Sequence, residues 1–348
     1  MLFRSLSCRL SRVAAATGTE YVDSTGETPY IVKMMTRYGS EAKAKGLRFV
    51  PSCGYDSLPS DISVLTLVEG VLKRQPGAKV GQVTHLIGPF AGTASGGTIS
   101  TVIHMLTGTS SEDRKLVGTV MRDPYALVAR APGAPAPGSD VGDQWSVKRH
   151  SASGLFTAPW IMASGNERLV RQSAALNGYG AQFRYLEVLG FRSVLRAVLS
   201  AASIGLGVLL LLFPPTRWLL QRFVLPDPGQ GPTREAQTKG FAVSSVHATV
   251  NGKHYVVECR ILGGDPGYRS TGMMLAESAI ALHRSKRPAP GEGGFFTPAS
   301  CPGMKSALAK TLAQKCHIDF EFFEPASEAE VQRICKGFDT KYAKRSLL

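Results

Sequence analysis

Hydrophobic and polar positions alternate between two rhythms along the first third of the chain. Residues 28–46 carry Met34, Met35, Tyr38 and Ala42 at helical spacing, and Gly46 is placed to close that helix. Short apolar runs at 20–23 and 47–51 read as strands on either side of it. Upstream, 13–16 reads as a helical end and 17–19 as a turn; downstream, Pro59-Ser60 predicts a helix to about residue 73, with Ser60 as its cap. Strands alternating with helices predict a parallel, doubly wound sheet, of which two strands are visible here.

The texture changes after residue 77. Residues 79–87 predict a strand, 88–97 are rich in Gly, Ser and Thr, and 98–106 predict a helix. Residues 132–139 are a Pro/Gly loop, 164–175 a helix and 179–189 a strand. Two alternating strands, 241–250 and 253–262, flank Asn251-Gly252, a strong hairpin signal. A helix is expected over 270–282. The pattern is mixed from Cys316 on, with a break at Pro325 and Ser327 placed to cap a last amphipathic helix.

One run stands apart. Residues 197–213 contain no charge and end at Pro214-Pro215, after which Trp218, Leu219, Leu220, Phe223, Val224 and Leu225 resume the apolar character. As a helix the 17 residues would be about 26 Å long, slightly short of a ~30 Å hydrocarbon core. Arg192 and Arg196 before the run, and Arg217 and Arg222 after it, fit headgroups better than a protein core. The expectation is a re-entrant or hairpin-like insertion into one leaflet; a buried core helix is the alternative.

Composition sharpens this. The chain has 348 residues, 43% hydrophobic and 19% charged, which is globular. Its net charge of +14 is dispersed rather than gathered into a basic run with interleaved aromatics, so nucleic acid is not expected as a partner. The six cysteines form no CxxC pair and no His lies at ligand spacing from them, so no metal site is expected. Residues 1–12 are rich in Arg and Ser and contain no acid, which suits either a mitochondrial presequence or an accidental start.

Three Gly-containing clusters are candidates for chemistry. Cys53-Gly54-Tyr55-Asp56-Ser57-Leu58-Pro59-Ser60-Asp61 lies between a strand end and a helix start, where open α/β sheets bind ligands. Tyr55, Asp56 and Ser57 offer a donor, an anion and a hydroxyl, and are the catalytic candidates. Asp61, in the first helical turn, is favoured by the helix dipole. A plain turn in which Asp56 and Ser57 satisfy backbone groups accounts for the same residues. In the second cluster Gly96, Gly97 and Thr98 precede a helix and could present amides to an anion, or simply cap it. The third, Gly263-Gly264-Asp265-Pro266-Gly267-Tyr268, suggests close backbone approach to a ligand or to a neighbour. With Gly54, the glycines Gly96, Gly97 and Gly267 and Thr98 are the cofactor-binding candidates. No GxGxxG or GxxGxxG follows a strand, and there is no GxSxG or HExxH.

In this order the clusters, with residues 18–27 and Pro226 and Gly229-Gln230-Gly231-Pro232, resemble the saccharopine dehydrogenase-like oxidoreductases. That group includes the trans-acting enoyl reductases of bacterial lipid synthesis. The resemblance spans about 13–311 and implies an α/β fold: the rear part of a Rossmann-type parallel sheet plus a second α/β domain with an inserted apolar helical segment. The implied division is 1–12 as possible presequence, 13–76 as Rossmann remnant, and 77–262 as second domain, with the membrane-associating segment at 194–225. A return helix and strand at 263–315 and a tail at 316–348 complete it. The dinucleotide loop of the family has no counterpart here, so NAD(P) is implied by resemblance alone. The expected function is an NAD(P)-dependent reductase of a small lipid-like substrate, with Tyr55 or Asp56 relaying a proton beside Gly97–Thr98. The alternatives are a non-catalytic scaffold at a membrane or lipid-droplet surface, and a fragment that does not fold alone. Cytosolic-face membrane or lipid-droplet attachment, or a mitochondrial location, and a homodimer complete the expectations.

Overall fold

The computed structural model describes residues 2–92, 96–107, 110–128, 144–226 and 231–342; the loop expected at 132–139 lies outside these. The chain begins with α1 (Leu2–Thr17), β1 (Tyr21–Val22), α2 (Thr28–Ala44), β2 (Arg48–Val50) and α3 (Leu58–Arg74). Next come β3 (Gln82–Ala91), α4 (Gly96–Thr107), α5 (Ser111–Arg122), β4 (Lys148–Arg149), β5 (Phe156–Pro159), α6 (Ala163–Asn177) and β6 (Arg184–Phe191). The helices α7 (Val194–Leu212), α8 (Pro214–Phe223) and α9 (Arg234–Lys239) lead to the hairpin β7 (Phe241–Val250) and β8 (Lys253–Ile261). A π-helical turn (Pro266–Ser270) opens α10 (Thr271–Arg284), followed by β9 (Gly294–Phe295), α11 (Lys305–Cys316), β10 (Ile318–Phe323) and α12 (Glu328–Tyr342).

The fold is α/β, and the described residues form two sheets. The small one, in order β1-β2-β9, is parallel throughout. The large one runs β10-β8-β7-β3-β6-β5-β4, and β3 with β6 is its parallel pair. One face of the large sheet packs under α3 through Val64, Leu67, Val68 and Val71 against Val83, Tyr185, Val246 and Val257. The other face packs against α12 through Val331 and Cys335. Alternation along β6 sorts the two: Tyr185 and Val188 are both buried, on opposite faces.

Local chemistry explains most element ends. Gly46, at φ +65, closes α2, and the Leu47 N–H donates to Ala42 O at 2.8 Å. Asn251 (φ 50) and Gly252 (φ 77) form the two-residue turn between β7 and β8, whose twist needs positive φ at both positions. Three expectations shift. The cap of α3 is Ser57, not Ser60: Pro59 lies inside the first turn, where its missing N–H costs nothing, so the cap precedes it. β3 runs on to Ala91 through a bulge between Ile87 and Phe90, where a Cβ on Gly88 would come within 2.8 Å of the Val243 carbonyl. Residues 318–323, expected as mixed tail, form an edge strand along β8.

Buried polar clusters around Arg48 and Asp61 tie helices and loops to the small sheet and to one another. Arg48, only 1% exposed, donates to both Glu20 carboxylate oxygens (2.5 and 2.9 Å) and to the Leu282 and Pro302 carbonyls (both 2.9 Å). Asp61, fully buried, accepts from the Ala299 N–H at 2.8 Å and from the Ser173 hydroxyl. Burial pushes its carboxyl up to about 6, against the downward pull of those bonds and of Thr297.

That shift has a sign. The folded state holds the Asp61 proton more tightly than the unfolded chain, whose aspartates titrate near 3.9. Its contribution is therefore greatest below about pH 4 and is lost as pH rises through about 6, amounting to about 3 kcal/mol. Asp61→Asn keeps an acceptor for Ala299 and removes the titration. Urea unfolding from pH 4 to 7 should show a shallower pH dependence in the variant; an unchanged slope would contradict this.

Candidate functional site

The segment between β2 and α3 delivers Tyr55 and Asp56 to the edge of a cleft over the large sheet. The Tyr55 N–H donates to the Thr271 hydroxyl at 3.0 Å, and a Cβ on Gly54 would press on Ser24 and Thr271 at 3.0–3.1 Å. Gly54 is thus needed for the approach of this loop to α10. The cleft is lined by Tyr55, Asp56, Ser60, His85, Trp160 and Glu187 among others. Its envelope is ≈ 370 Å³, including space open to solvent, and the part that admits water-sized groups is ≈ 20 Å³. That is room for about one water.

Behind the cleft the large sheet gathers a hydrogen-bonded chain of buried polar groups. His85 on β3 is directly opposite Glu187 on β6. The Tyr185 hydroxyl donates to Glu187 Oε2 at 2.7 Å and meets His85 Nδ1 at 2.8 Å, so the ring nitrogen is the donor of that pair. His85 Nε2 faces the Ser244 hydroxyl of β7 at 2.8 Å. Asn166 on α6 donates to Glu187 Oε1 (2.7 Å) and accepts from Ser57 (2.9 Å). The chain therefore runs from Ser57 at the loop to Ser244 in the sheet.

The charges follow from these contacts. Burial alone would raise the Glu187 carboxyl, but bonds from His85, Asn166 and Tyr185, with the charge of His85, hold it below its ordinary range. Burial, then the neighbouring Glu187 charge, pushes the Tyr185 hydroxyl far up, so it stays protonated. Tyr55 is raised likewise by burial and by Asp56. Asp56 differs from Glu187. It has no hydrogen-bond or ion-pair partner among the described residues, lines the cleft, and is pushed up to about 6 by burial. A carboxyl that changes protonation near neutral pH in a cleft is suited to proton transfer.

The structure brings Tyr55, Asp56 and, one step behind them, Ser57 to the cleft. Gly96, Gly97 and Thr98 form the first turn of α4, and that helix meets the N-terminus of α2 rather than the cleft lining, through the Thr101 hydroxyl, which donates to Glu27 at 3.2 Å. Gly267 lies in the π-helical turn before α10, where Asp265 accepts the Tyr268 N–H at 2.7 Å. A Cβ on Gly240 would come within 2.3 Å of Asp265, and one on Gly231 within 2.6 Å of the Tyr268 ring. This third cluster is a tightly packed knot of chain. His85, Asn166, Tyr185, Glu187 and Ser244 were not singled out from sequence. The Tyr185-x-Glu187 spacing does signal a shared face, but nothing local joins it to His85.

Among the described residues a dinucleotide does not fit at the small sheet. Bound pyrophosphate needs free amides at a helix N-terminus and little negative charge. Between β1 and α2 the Thr25 and Ser52 amides donate to Asp23 instead (2.9 and 3.2 Å). Glu27 occupies the N-cap of α2. Asp23 and Glu27 make this turn acidic, which is unfavourable for a phosphate at the helix N-terminus.

Fold and cleft define an α/β protein with acid–base groups gathered on one face of a mixed sheet. No family model matches the chain. It is similar to a "Putative trans-acting enoyl reductase" of Mycobacterium tuberculosis, 34% identical over 312 residues, covering 84% of this chain and 72% of the relative. It is also similar to the trans-acting enoyl reductase of Mycobacterium leprae, at 30% identity over the same shares. The enzyme of that name from Mycobacterium ulcerans is 30% identical over 324 residues, covering 88% of this chain and 74% of the relative. The chain belongs to the trans-acting enoyl reductase family, a family of oxidoreductases.

Proposed function

We propose that this chain is a saccharopine dehydrogenase-like reductase that saturates an enoyl bond in a lipid-linked substrate, with Asp56 as the proton donor. The observation that carries this is the unpartnered Asp56 carboxyl at the cleft edge, beside the His85–Tyr185–Glu187 chain, in a member of this family. Saturating an enoyl thioester adds hydride at the β-carbon and a proton at the α-carbon. Protonated Asp56 delivers the proton and is recharged from solvent at the open side of the cleft. The buried chain behind it keeps its own charges paired and holds the cleft wall in place. NAD(P) is the hydride donor that the resemblance suggests, although the acidic turn between β1 and α2 is a poor seat for its pyrophosphate. The test is a long-chain trans-2-enoyl thioester incubated with the protein and, separately, NADH, NADPH or a reduced flavin. Saturated product with one of these donors supports the proposal, and none with any of them contradicts it.

We propose further that α7 and α8 attach the protein to the cytosolic face of a membrane or a lipid droplet. α7 spans 19 residues with mean hydropathy 2.1 and is 6% buried, which is unlike a core helix. α8 follows at once: Phe213 ends α7, Pro214-Pro215 open α8, and the Thr216 hydroxyl donates to the Leu210 and Phe213 carbonyls (2.5 and 3.0 Å). Leu206→Asp with Leu209→Asp places two charges on the exposed side, each costing about 2.5–3.5 kcal/mol at mid-bilayer depth. In flotation with anionic liposomes the wild type should rise and the double variant stay at the bottom; equal flotation of the two would contradict the attachment.

A further inference from the structure

Trp160 belongs to two places at once. It lines the cleft with Ile87 and Met162. It also packs, with Phe156 and Phe191, in the cluster built on buried Ala197 of α7, where Ala201 and Ile204 continue the inward stripe one and two turns on. The small Ala197 and Ala201 leave that interface to the aromatic rings of the sheet side. Outside it, Phe90 meets the Trp160 ring edge-on with centroids 5.8 Å apart. Phe90 is 44% exposed and the adjoining Ile161 42% exposed. The bulge of β3 between Ile87 and Phe90 separates a cleft-lining residue from an exposed one over a three-residue step. The result is an uncharged strip from Met162 and Ile87 in the cleft, over Trp160 and Phe90, toward the root of the apolar helix.

We infer that this strip guides a membrane-borne acyl chain to the solvent-open edge of the cleft, outside its narrow interior, with Trp160 as the wall that selects it. The inference rests on the proposed attachment through α7 and α8. An alkyl chain moving along the strip exchanges one apolar environment for another, whereas a polar substrate would lose water without gaining partners. Each further methylene kept from water adds to the gain, so long chains are favoured over short ones. With Arg192 and Arg196 close by in sequence, anionic headgroups would sit beside the entrance.

The protein has three tryptophans, Trp145, Trp160 and Trp218, so its own fluorescence can test this. The variant W145F/W218F reports on Trp160 and W145F/W160F on Trp218 in α8. Each is mixed with phosphatidylcholine–phosphatidylglycerol vesicles carrying brominated acyl chains, with unbrominated vesicles as reference. The expected result is loss of emission from both reporters, and recovery of Trp160 emission alone when Phe90→Lys blocks the strip. Quenched Trp218 with unquenched Trp160 would overturn the path and leave the attachment standing. Trp160 quenching that persists in Phe90→Lys would also overturn it, because the ring would then merely lie near lipid. Neither reporter quenched would remove the attachment and the path together.

Discussion

Glu187→Ala should destabilise the fold by about 2–6 kcal/mol, the cost of leaving two buried donors without their acceptor at about 1–3 kcal/mol each. Glu187 is wholly enclosed and receives Asn166 and Tyr185 at 2.7 Å each, with His85 Nδ1 3.6 Å from the same carboxylate. Removing it takes away the carboxylate oxygens that accept from the Asn166 amide and the Tyr185 hydroxyl. Glu187→Gln keeps an acceptor for one donor and should cost about 1–3 kcal/mol, the range for one unsatisfied buried group. Urea unfolding of the three proteins at neutral pH decides the matter. If the Ala variant is no less stable than the Gln variant, the carboxylate is not the hub of the chain.

Asp56→Asn should lower the rate of enoyl saturation by about 10²- to 10⁴-fold, the usual contribution of a positioned general acid. The pH dependence has a defined direction. The acid form donates, so activity should be full below about pH 6 and fall as pH rises through it. Asn carries no titrating proton and should abolish that limb, whereas Glu should retain it with reduced rate. Because Asp56 has no partner in the cleft, its replacement by Asn should leave stability near neutral pH unharmed. A rate loss that tracks a loss of folded protein would count against a role in proton transfer.

Parts of the fold were open to sequence reading because their signals are local. Asn251-Gly252 between alternating strands needs no distant partner to make a hairpin, and the uncharged run before Pro214-Pro215 can be read by counting. The loop carrying Tyr55, Asp56 and Ser57 was found because strand, turn and helix cap follow one another in the chain. The chain of groups behind it was not. His85 and Glu187 meet only because β3 and β6 pair in one register across a hundred residues, and a one-residue slip would turn them to opposite faces. Asp61 shows the converse. Its place in a first helical turn is visible, but its burial depends on Ala299 and Ser173 arriving from far along the chain. The strand at 318–323 alternates Ile318, Phe320 and Phe322 with acids, yet only the exposed edge of β8 makes it a strand of the sheet.

The pH–rate profile for saturation of a long-chain enoyl thioester decides whether Asp56 gives up the proton in a reductase site. Wild type and Asp56→Asn are compared between pH 5 and 9 with whichever hydride donor supports turnover. The wild-type rate should decline above about pH 6, and the variant's profile should be low and flat. Equal rates and parallel profiles in the two proteins would contradict that role of Asp56.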